Sequence, residues 1–555
     1  MTTETVQRGS AWAPLRRPVF RAIWGSLLGS QVVIWMHNVG AVTVVASLSD
    51  SPALIAAVQT ATSLPAVVLS LLAGATADIV DRRRLVLAAQ AWMVAVTTTL
   101  SVLTFTDTVT TGLALALTLA LGAGMAPTIL AYQAMTPDAI GEDRHRSGPG
   151  RARPLAQDEL PEAVALNSVA INLARAVGPA LAGVLIVALS AGALFAIESA
   201  VVLLIMVVIF RLKVSTERPE SPEPLIEALR AGARYVRFFG PARTTLIRTG
   251  LFAGCASALW ALLPVVAVGP LDLDSRGLGL LMGCVGTGAL CGAVVMPRLR
   301  ARLGFDVLIA LASLTLAAGL AVLAWVDEVP IVAVALLFTG ASWLTVLSSL
   351  NTAAQWAAAG WVRARTLASF QFVMQGSLAF GSLVWGLTAG ATGVRDALMI
   401  AVAGLLVGVV AGRHWPLAPG TDVDLSPAAH WGSPELALEP RPTDGPVLVT
   451  LEYRVRPERT DEFVAAMTEL GRIRRRDGAY FWDLYEDLED RGRFLETFTV
   501  GSWQEHLRQH ERGTVADLDV ERRVKEMHEG PGPPLARHLL AARAAQRARE
   551  QKPPP

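Results

Sequence analysis

The sequence predicts an all-α polytopic membrane protein followed by a small soluble α+β domain. Hydrophobic residues make up 52% of the 555 residues and charged residues only 17%, and the mean hydropathy is +0.45. A soluble protein of this size is rarely so apolar. The apolar character ends near residue 412, and from residue 446 onward the pattern is that of an ordinary soluble domain.

Apolar stretches of about 20 residues are long enough to cross a hydrocarbon core of about 30 Å. The sequence contains twelve of them, and we predict transmembrane helices at residues 20–47, 52–77, 85–106, 110–133, 163–188, 190–211, 246–269, 276–297, 305–326, 329–351, 366–390 and 394–412. A polar tail, residues 1–18, precedes the first stretch, which is long enough to remain as a spanning helix. We therefore expect no cleaved signal peptide.

The charges in the connecting loops predict the orientation. The even-numbered connections are basic, as in the run Arg82 to Arg84 and in the long Arg-rich segment that ends at Arg248. The odd-numbered connections are nearly bare or acidic, as at Asp50 and Asp107. Because Lys and Arg in short loops stay on the cytoplasmic side, we expect a multi-pass protein of the cell membrane with both termini in the cytoplasm.

The basic turn after the second stretch carries a family signature. In "GATADIVDRRR", Gly74 is followed four residues later by Asp78 and then by Arg82, Arg83 and Arg84. This pattern resembles the signature turn of the major facilitator superfamily, in the branch that contains the enterobactin exporter and related secretion permeases. The resemblance implies alternating access and a gating role for these five residues.

In that family the turn holds two six-helix halves together. The halves would be residues 19–211 and 246–412, and the loop between them, 212–245, contains an amphipathic segment that we expect to lie on the cytoplasmic surface. Asp78 would accept hydrogen bonds from the first turn of the eleventh span. The alternative is that the arginines act only as a topological anchor.

The fifth stretch, "LNSVAINLARAVGPALAGVLI", carries a second resemblance. Gly178, Pro179 and Gly183 match a motif that facilitator exporters have in this helix. Proline removes a backbone donor and permits a bend, and glycine lets helices approach closely. The match favours export over import and adds these three residues to the gating set.

Ionisable residues inside membrane spans are costly and therefore candidates for function. Arg175 lies about 18 Å into the fifth span at about 1.5 Å per residue, and Glu198 lies at a similar depth in the sixth. We predict that they form an ion pair or a water-linked contact, with Glu198 carrying a coupling proton; the alternative is a static pair that fixes helix register. His37 in the first span is a third proton-coupling candidate, unless it is a structural histidine.

Uncharged polar side chains in the spans either line a cargo cavity or hold helices together. The cavity candidates are Asn38, Gln59, Gln133, Asn172, Asn351, Gln355, Gln371 and Gln375. Trp35, Trp260, Trp343 and Trp385 could stack on a flat cargo or mark the membrane interfaces. Few charges lie in the spans, which favours an amphipathic cargo over a sugar phosphate.

After a linker at 413–445, residues 446–540 are predicted to form a strand, a helix, two strands and further helix, ahead of a disordered tail at 541–555. This order suggests a ferredoxin-like α+β unit and resembles the antibiotic biosynthesis monooxygenase fold. That resemblance implies a homodimer formed through the sheets and draws attention to Trp482, Trp503, His506 and His510. The two histidines lie four residues apart without an H-E-x-x-H pattern, so we expect no metal.

The sequence thus favours a proton-coupled exporter of a small amphipathic molecule such as a siderophore, a drug or a secondary metabolite. Its partners would be the cargo, protons and the lipid bilayer; we expect no cofactor, no nucleic acid and no catalysis. No nucleotide-binding loop of the G-x-x-x-x-G-K-[ST] type is present. The alternatives are a membrane-tethered enzyme and a sensor, in which the C-terminal domain modifies or senses the cargo.

Overall fold

The computed structural model describes residues 12–76, 82–141, 160–212, 225–417 and 440–544, together with 424–426, 428 and 436. It divides into two compact units. The first comprises Met1–Pro222, Ile247–Leu350 and Phe370–Pro416. The second comprises Glu223–Leu246, Asn351–Ser369 and Leu417–Pro555.

Long apolar helices build the first unit. The N-terminal ones are α1 (Pro18–Leu48), α2 (Pro52–Thr76), α3 (Arg82–Phe105), α4 (Thr111–Gly141), α5 (Leu160–Ala188) and α6 (Ala191–Arg211). After the short helix α7 (Leu225–Phe238) of the second unit come α8 (Gly240–Val268), α9 (Ser275–Leu303), α10 (Phe305–Trp325), α11 (Val329–Trp356), α12 (Arg363–Thr392) and α13 (Val394–His414).

Ten of these helices are long and apolar enough to cross a membrane, counted over the described residues. The other two predicted spans coincide with α2 and α4, which are outside that set, so a total of twelve spans stays a prediction. Local signals set several helix starts. The side chain of Ser190 caps α6 by accepting a hydrogen bond from the N–H of Ala193 at 3.1 Å, and Asp274 caps α9 in the same way.

The helices of the first unit pack through small residues. In a membrane, dispersion contacts rather than the hydrophobic effect hold helices together, so close approach matters. A Cβ atom added to Gly288 on α9 would overlap the carbonyl oxygen of Leu337 on α11, and one added to Gly340 would overlap that of Val285. At these two positions the backbones touch, and only glycine fits.

The second unit contains a four-stranded antiparallel sheet with helices on one face. Its elements are β1 (Val447–Arg454), α14 (Thr460–Asp477), β2 (Phe481–Glu486), β3 (Arg493–Val500), α15 (Trp503–Arg512), α16 (Val515–Glu526) and β4 (Leu535–Leu540). The strand order is β2-β3-β1-β4. The first three strands lie where the alternation of apolar residues predicts them; the fourth, β4, is not predicted by the sequence pattern.

The two faces of this sheet differ. Residues 447, 449, 451 and 453 of β1 are buried against the helices in a core with Phe463 and Phe498. The opposite face carries apolar side chains that are 38–55% exposed: Phe481, Tyr485, Leu495, Leu535 and Leu539. The register places these side chains on the same side of the sheet, because Tyr485 is opposite Leu495 and Leu539 is opposite Leu448.

We expect Gly288→Leu to destabilise the first unit, because the new side chain meets the backbone carbonyl of Leu337, which cannot turn aside. Overpacking lowers the free energy of unfolding by about 1–3 kcal/mol at many sites. We expect the upper end of this range for Gly288→Leu, because the obstacle is backbone rather than a side chain. Thermal unfolding of the purified protein measures the effect. Gly112→Leu is the control, since a Cβ atom there has no neighbour within 4 Å; equal melting temperatures for the two variants would contradict the close contact.

Candidate functional site

A histidine and a glutamate meet inside the N-terminal helices. The Nδ1 atom of His37 on α1 lies 3.0 Å from the Oε2 atom of Glu198 on α6, and the Nε2 atom lies 3.2 Å from the hydroxyl of Thr118 on α4. The side chains of His37 and Glu198 are 1% and 0% exposed. Three helices thus enclose two ionisable groups within hydrogen-bonding distance of each other.

A glycine brings α1 and α6 close enough for this contact. A Cβ atom at Gly40, one turn beyond His37, would lie 2.7 Å from Leu194 and 2.9 Å from Phe195 on α6. The ring of Phe195 packs 5.5 Å from that of His37. The same side chains that exclude water from the pair therefore also set the separation of the two helices.

The pair can exist with or without one additional proton. A hydroxyl group both donates and accepts, so Thr118 can donate to a neutral imidazole or accept from a protonated one. A carboxylate accepts from the Nδ1–H of the ring in either case. Because the surroundings are apolar, loss of either partner would leave a buried group unpaired, which costs about 3–5 kcal/mol for an ionised one.

The direct ion pair predicted between Arg175 and Glu198 does not form, whereas a water-linked contact between them stays a prediction. The guanidinium of Arg175 lies over the ring of Trp35, 5.3 Å from its centroid, and Glu198 is bonded to His37 instead. Similar depths in α5 and α6 do not bring Arg175 and Glu198 together, because α1 packs along both helices while those two helices have little contact with each other. His37 on the intervening helix therefore reaches Glu198 first.

A row of aromatic rings crosses the unit from its N-terminal to its C-terminal helices. Trp35 on α1 lies 5.2 Å from Trp260 on α8, Trp260 lies 5.5 Å from Trp343 on α11, and Trp343 lies 5.8 Å from Phe252 on α8. The indole N–H of Trp343 is buried and makes no hydrogen bond within the part of the chain that the structure describes. The row combines flat apolar surfaces with at least one donor that a bound molecule could satisfy.

Beside the row is a small hollow of about 10 Å³, which is room for about one water molecule. Among its lining residues are Trp35, Trp260 and two of the predicted cavity residues, Asn38 and Gln59. Asn38 accepts a hydrogen bond from Thr62 at 3.2 Å, which links α1 to α2. In this conformation the hollow is too small for any organic cargo.

Four of the other six cavity candidates have described side chains. Gln355 donates to Asn351 at 2.7 Å, along α11, and these two residues belong to the second unit. Gln371 and Gln375 are half-buried on α12. The side chains of Gln133 and Asn172 lie outside the described part of the chain.

The glycines of the fifth span make close helix contacts. A Cβ atom at Gly178 would lie 2.6 Å from that of Trp35, and one at Gly183 would lie 2.8 Å from the carbonyl oxygen of Ser275 at the start of α9. Gly279 on α9 faces Pro179 and Gly183 in turn. The predicted export motif therefore packs against α1 on one side and against α9 of the C-terminal helices on the other.

The predicted latch is only partly described. Asp78 lies outside the described residues, and neither the surroundings of Gly74 nor the side chain of Arg82 is described. Arg83 is described: its guanidinium donates to the carbonyls of Ile209 and Phe210 and lies over the ring of Phe210. It thereby contributes donors to carbonyls at the C-terminal end of α6 and interacts favourably with the helix dipole.

A family model described as transmembrane secretion effector matches residues 9–546. The chain belongs to this family of major facilitator transporters. Two solved structures share its fold. The first is the nucleoside transporter NupG, with a TM-score of 0.55 and 14% identity; the match covers 72% of this chain and 99% of that one. The second is a bacterial homologue of the human lysosomal transporter Spinster, inward-facing and unoccupied, with a TM-score of 0.56 and 12% identity; the match covers 73% of this chain and 98% of that one. No curated protein matches the chain.

The second unit of the transporter combines its sheet with segments from the helical part of the chain. The hydroxyl of Tyr235 on α7 donates to the carbonyl of Ala357 and accepts from the N–H of Ala359, each at 3.1 Å. Arg512 on α15 lies 4.7 Å from the ring centroid of Trp361. The central loop and the turn between α11 and α12 thus share a core with the C-terminal domain.

Three of the four residues considered for catalysis in this domain, Trp503, His506 and His510, form a packed cluster, whereas the indole N–H of Trp482 on β2 donates to Glu496 on β3 at 3.0 Å. The ring of His506 lies 5.2 Å from Trp503, 4.7 Å from His510 and 4.7 Å from His538. The cavity that His506 and His510 border is about 20 Å³, which is room for about one water molecule. Within the described residues, no group of three or more His, Cys, Asp or Glu side chains could hold a metal ion.

The histidine cluster predicts an acid-sensitive domain. Burial, with His510 and His538 nearby, lowers the pKa of His506 to about 3, whereas an unfolded histidine has a pKa near 6.5. As the pH falls below about 6.5, His506 is protonated in the unfolded chain but stays neutral in the folded domain. The free energy of unfolding therefore falls by up to about 1.4 kcal/mol per pH unit. We expect His506→Gln to flatten this slope in hydrogen exchange of α15, and the exposed His414→Gln to leave it unchanged. An equally steep slope in His506→Gln would contradict this assignment.

Proposed function

We propose that this transporter is a secondary active, proton-coupled exporter of a small amphipathic molecule, such as a siderophore, a drug or a secondary metabolite. The observation that carries the proposal is the buried pair of His37 and Glu198, placed on the same helix as the cargo-side residues Trp35 and Asn38. We further propose twelve spans with both termini in the cytoplasm of the cell, in line with the distribution of arginines in the loops.

Helix α1 supplies the physical link between proton and cargo. At about 100° per residue, Trp35, Asn38 and Val42 lie on one face of α1, and they border the hollow. His37 lies about 200° from Trp35 and faces α6. Loss or gain of a proton changes the attraction between His37 and Glu198, and a shift of α1 would move Trp35 against Gly178 and Trp260.

The contacts between the two sets of helices support an inward-facing state. Thr43 lies 3.1 Å from Ser275, Gly183 faces Gly279, and a Cβ atom at Gly386 would lie 2.6 Å from Ala56. All of these residues lie at the end of the bundle away from the N-terminus. We assign this end to the outer gate, closed here, and the signature turn with Gly74, Asp78 and Arg82 to Arg84 to the inner gate.

We infer that cargo enters from the cytoplasm, binds along the aromatic row, and is released when the outer contacts open. Trp35, Trp260 and Trp343 present flat apolar faces, Trp343 offers its buried N–H, and Arg175 stacks behind Trp35. Aromatic pairs of this kind contribute about 0.5–1.5 kcal/mol each beyond their area. A planar amphipathic molecule could stack on one of these rings in place of its aromatic neighbour, with an interaction of similar strength. A sugar lacks such a flat apolar face, so the row favours a planar amphipathic cargo.

Replacing Glu198 by Gln or His37 by Gln should abolish efflux driven by a pH gradient, because neither variant can cycle the proton on this pair. We expect at least a roughly tenfold loss of gradient-driven dye efflux from proteoliposomes, while exchange of cargo without a gradient continues. The control is Gln90→Leu, which alters another fully buried polar residue of the N-terminal helices, on α3. Undiminished gradient-driven efflux in Glu198→Gln would refute the assignment of the proton site.

For the C-terminal domain we propose a ferredoxin-like fold that pairs with a second copy through its open sheet face. The apolar side chains exposed on that face support this role, and the small cavity at His506 gives catalysis little support. The tethered-enzyme and sensor alternatives are therefore not favoured.

The substitution Leu539→Arg should dissociate such a dimer, because it places a charge in the apolar face. The mass of the purified protein–detergent complex, measured by light scattering, is expected to fall from two chains to one. Val464→Arg is the matched control, since Val464 is 40% exposed but lies on helix α14. A mass of one chain for the unaltered protein would contradict the proposed pairing.

A further inference from the structure

An open cavity of about 520 Å³ lies among the C-terminal helices of the first unit. Helices α8, α10 and α13 form its walls, and Leu350 at the end of α11 also borders it. Its lip is exposed, because Val307, Leu311 and Leu314 on α10 are 42–51% accessible. The cavity is of the size that small ligands occupy in proteins, about 300–1,000 Å³. It is distinct from the small hollow beside the aromatic row.

Glycines on α13 create this space. Gly404, Gly408 and Gly412 follow one another at four-residue intervals and line the cavity. Gly404 and Gly412 lie against neighbours on α8, with Cβ positions 2.6 Å from the Sγ atom of Cys255 and 3.2 Å from the guanidinium of Arg248. At Gly408 nothing lies within 4 Å. The outer two glycines hold the helices together, and the middle one leaves the cavity empty of side chains.

One end of the cavity is charged and the rest is apolar. Arg248, which is only 9% exposed, pairs with Asp306 and donates to the carbonyl of Trp415 at 3.2 Å. Arg413 borders the same end. Two guanidinium groups and one carboxylate leave an excess of one positive charge. These residues stand at the start of α8, the start of α10 and the end of α13, so they mark one end of the bundle.

The apolar part has the dimensions of one lipid leaflet. From Asp306 to Leu314 along α10 is about 12 Å at about 1.5 Å per residue, close to half of a hydrocarbon core of about 30 Å. The lining over this distance consists mainly of aliphatic side chains, glycine and the ring of Phe252. Phe252 also contacts Trp343, so an occupant of the cavity would touch the end of the aromatic row.

We propose that this cavity binds one anionic phospholipid of the surrounding membrane. An acyl chain lies along α10 and α13 past Gly408, and the phosphate lies at the charged end, where it accepts from Arg413 and neutralises the excess positive charge. A zwitterionic phospholipid would bring its own ammonium group to the same place and gain less. The proposal requires only that the helices span a membrane and is independent of proton coupling.

Lipid retention measured by native mass spectrometry tests the site. The full-length protein is equilibrated in detergent with equal amounts of phosphatidylglycerol and phosphatidylcholine, and the retained lipid is counted per chain. We expect one phosphatidylglycerol on the unaltered protein. Gly408→Leu should reduce its retention at least roughly tenfold, because the new side chain fills the cavity without a clash. Gly390→Leu, also in open space but on α12, should retain the lipid.

The headgroup is tested separately with Arg413→Gln, which should still retain one lipid but lose the preference for phosphatidylglycerol. If Gly408→Leu fails to fold, Leu314→Trp closes the cavity from its exposed lip instead and should give the same loss. Equal retention by the unaltered protein and a folded cavity-filling variant would overturn the proposal. So would equal retention of the two lipids by the unaltered protein.

Discussion

The contact between His37 and Glu198 is the constraint on which the rest of the account depends. Two ionisable side chains in an apolar bundle are tolerated only when they satisfy each other. The contact therefore holds α1 against α6, with Gly40 permitting the approach and Thr118 accommodating either protonation state of the imidazole. A helix bundle of small and aliphatic residues has few other directional interactions, so this one has a large influence on where α1 lies.

In the proposed mechanism that influence extends to the cargo side, because α1 carries both the ionisable pair and the residues that we propose contact the cargo. Trp35 and Asn38 lie on the face of α1 opposite His37, and Trp35 is pressed between Gly178 of the export motif and Trp260 of the C-terminal helices. A change in the charge of the pair cannot move α1 without moving these neighbours, since the helices are in close contact at glycine. The proposed coupling rests on close packing on both sides of one helix rather than on a long chain of hydrogen bonds.

Hydropathy was sufficient to place the helices, because a span of about 20 apolar residues has few other uses, and the signature turn was sufficient to indicate the family. The partner of Glu198 was not predictable in this way. Depth along a helix can be counted from the sequence, but the rotation of Arg175 about α5 and the presence of α1 between α5 and α6 depend on packing. His37 is recognisable in the sequence as a titratable group, though not as the partner.

The C-terminal domain shows the same limit. Three strands alternate clearly and are predictable, whereas β4, "LARHLL", is short and follows a Gly- and Pro-rich turn, and its pairing with β1 is a long-range contact. Without β4, His538 cannot be recognised as a neighbour of His506. The contribution of Tyr235 and Trp361 to the core of this unit is also invisible in the sequence, since both lie in loops between predicted spans, far along the chain from the C-terminal domain.

The most direct test of the central claim is infrared difference spectroscopy of the carboxyl group of Glu198 during cargo binding, in unaltered protein and in Glu198→Gln. If α1 couples the two sites, addition of cargo at constant pH should change a carboxylate stretching band that is missing in the variant, because movement of Trp35 alters the contact between His37 and Glu198. A carboxyl band of Glu198 that stays the same with and without bound cargo would contradict the account.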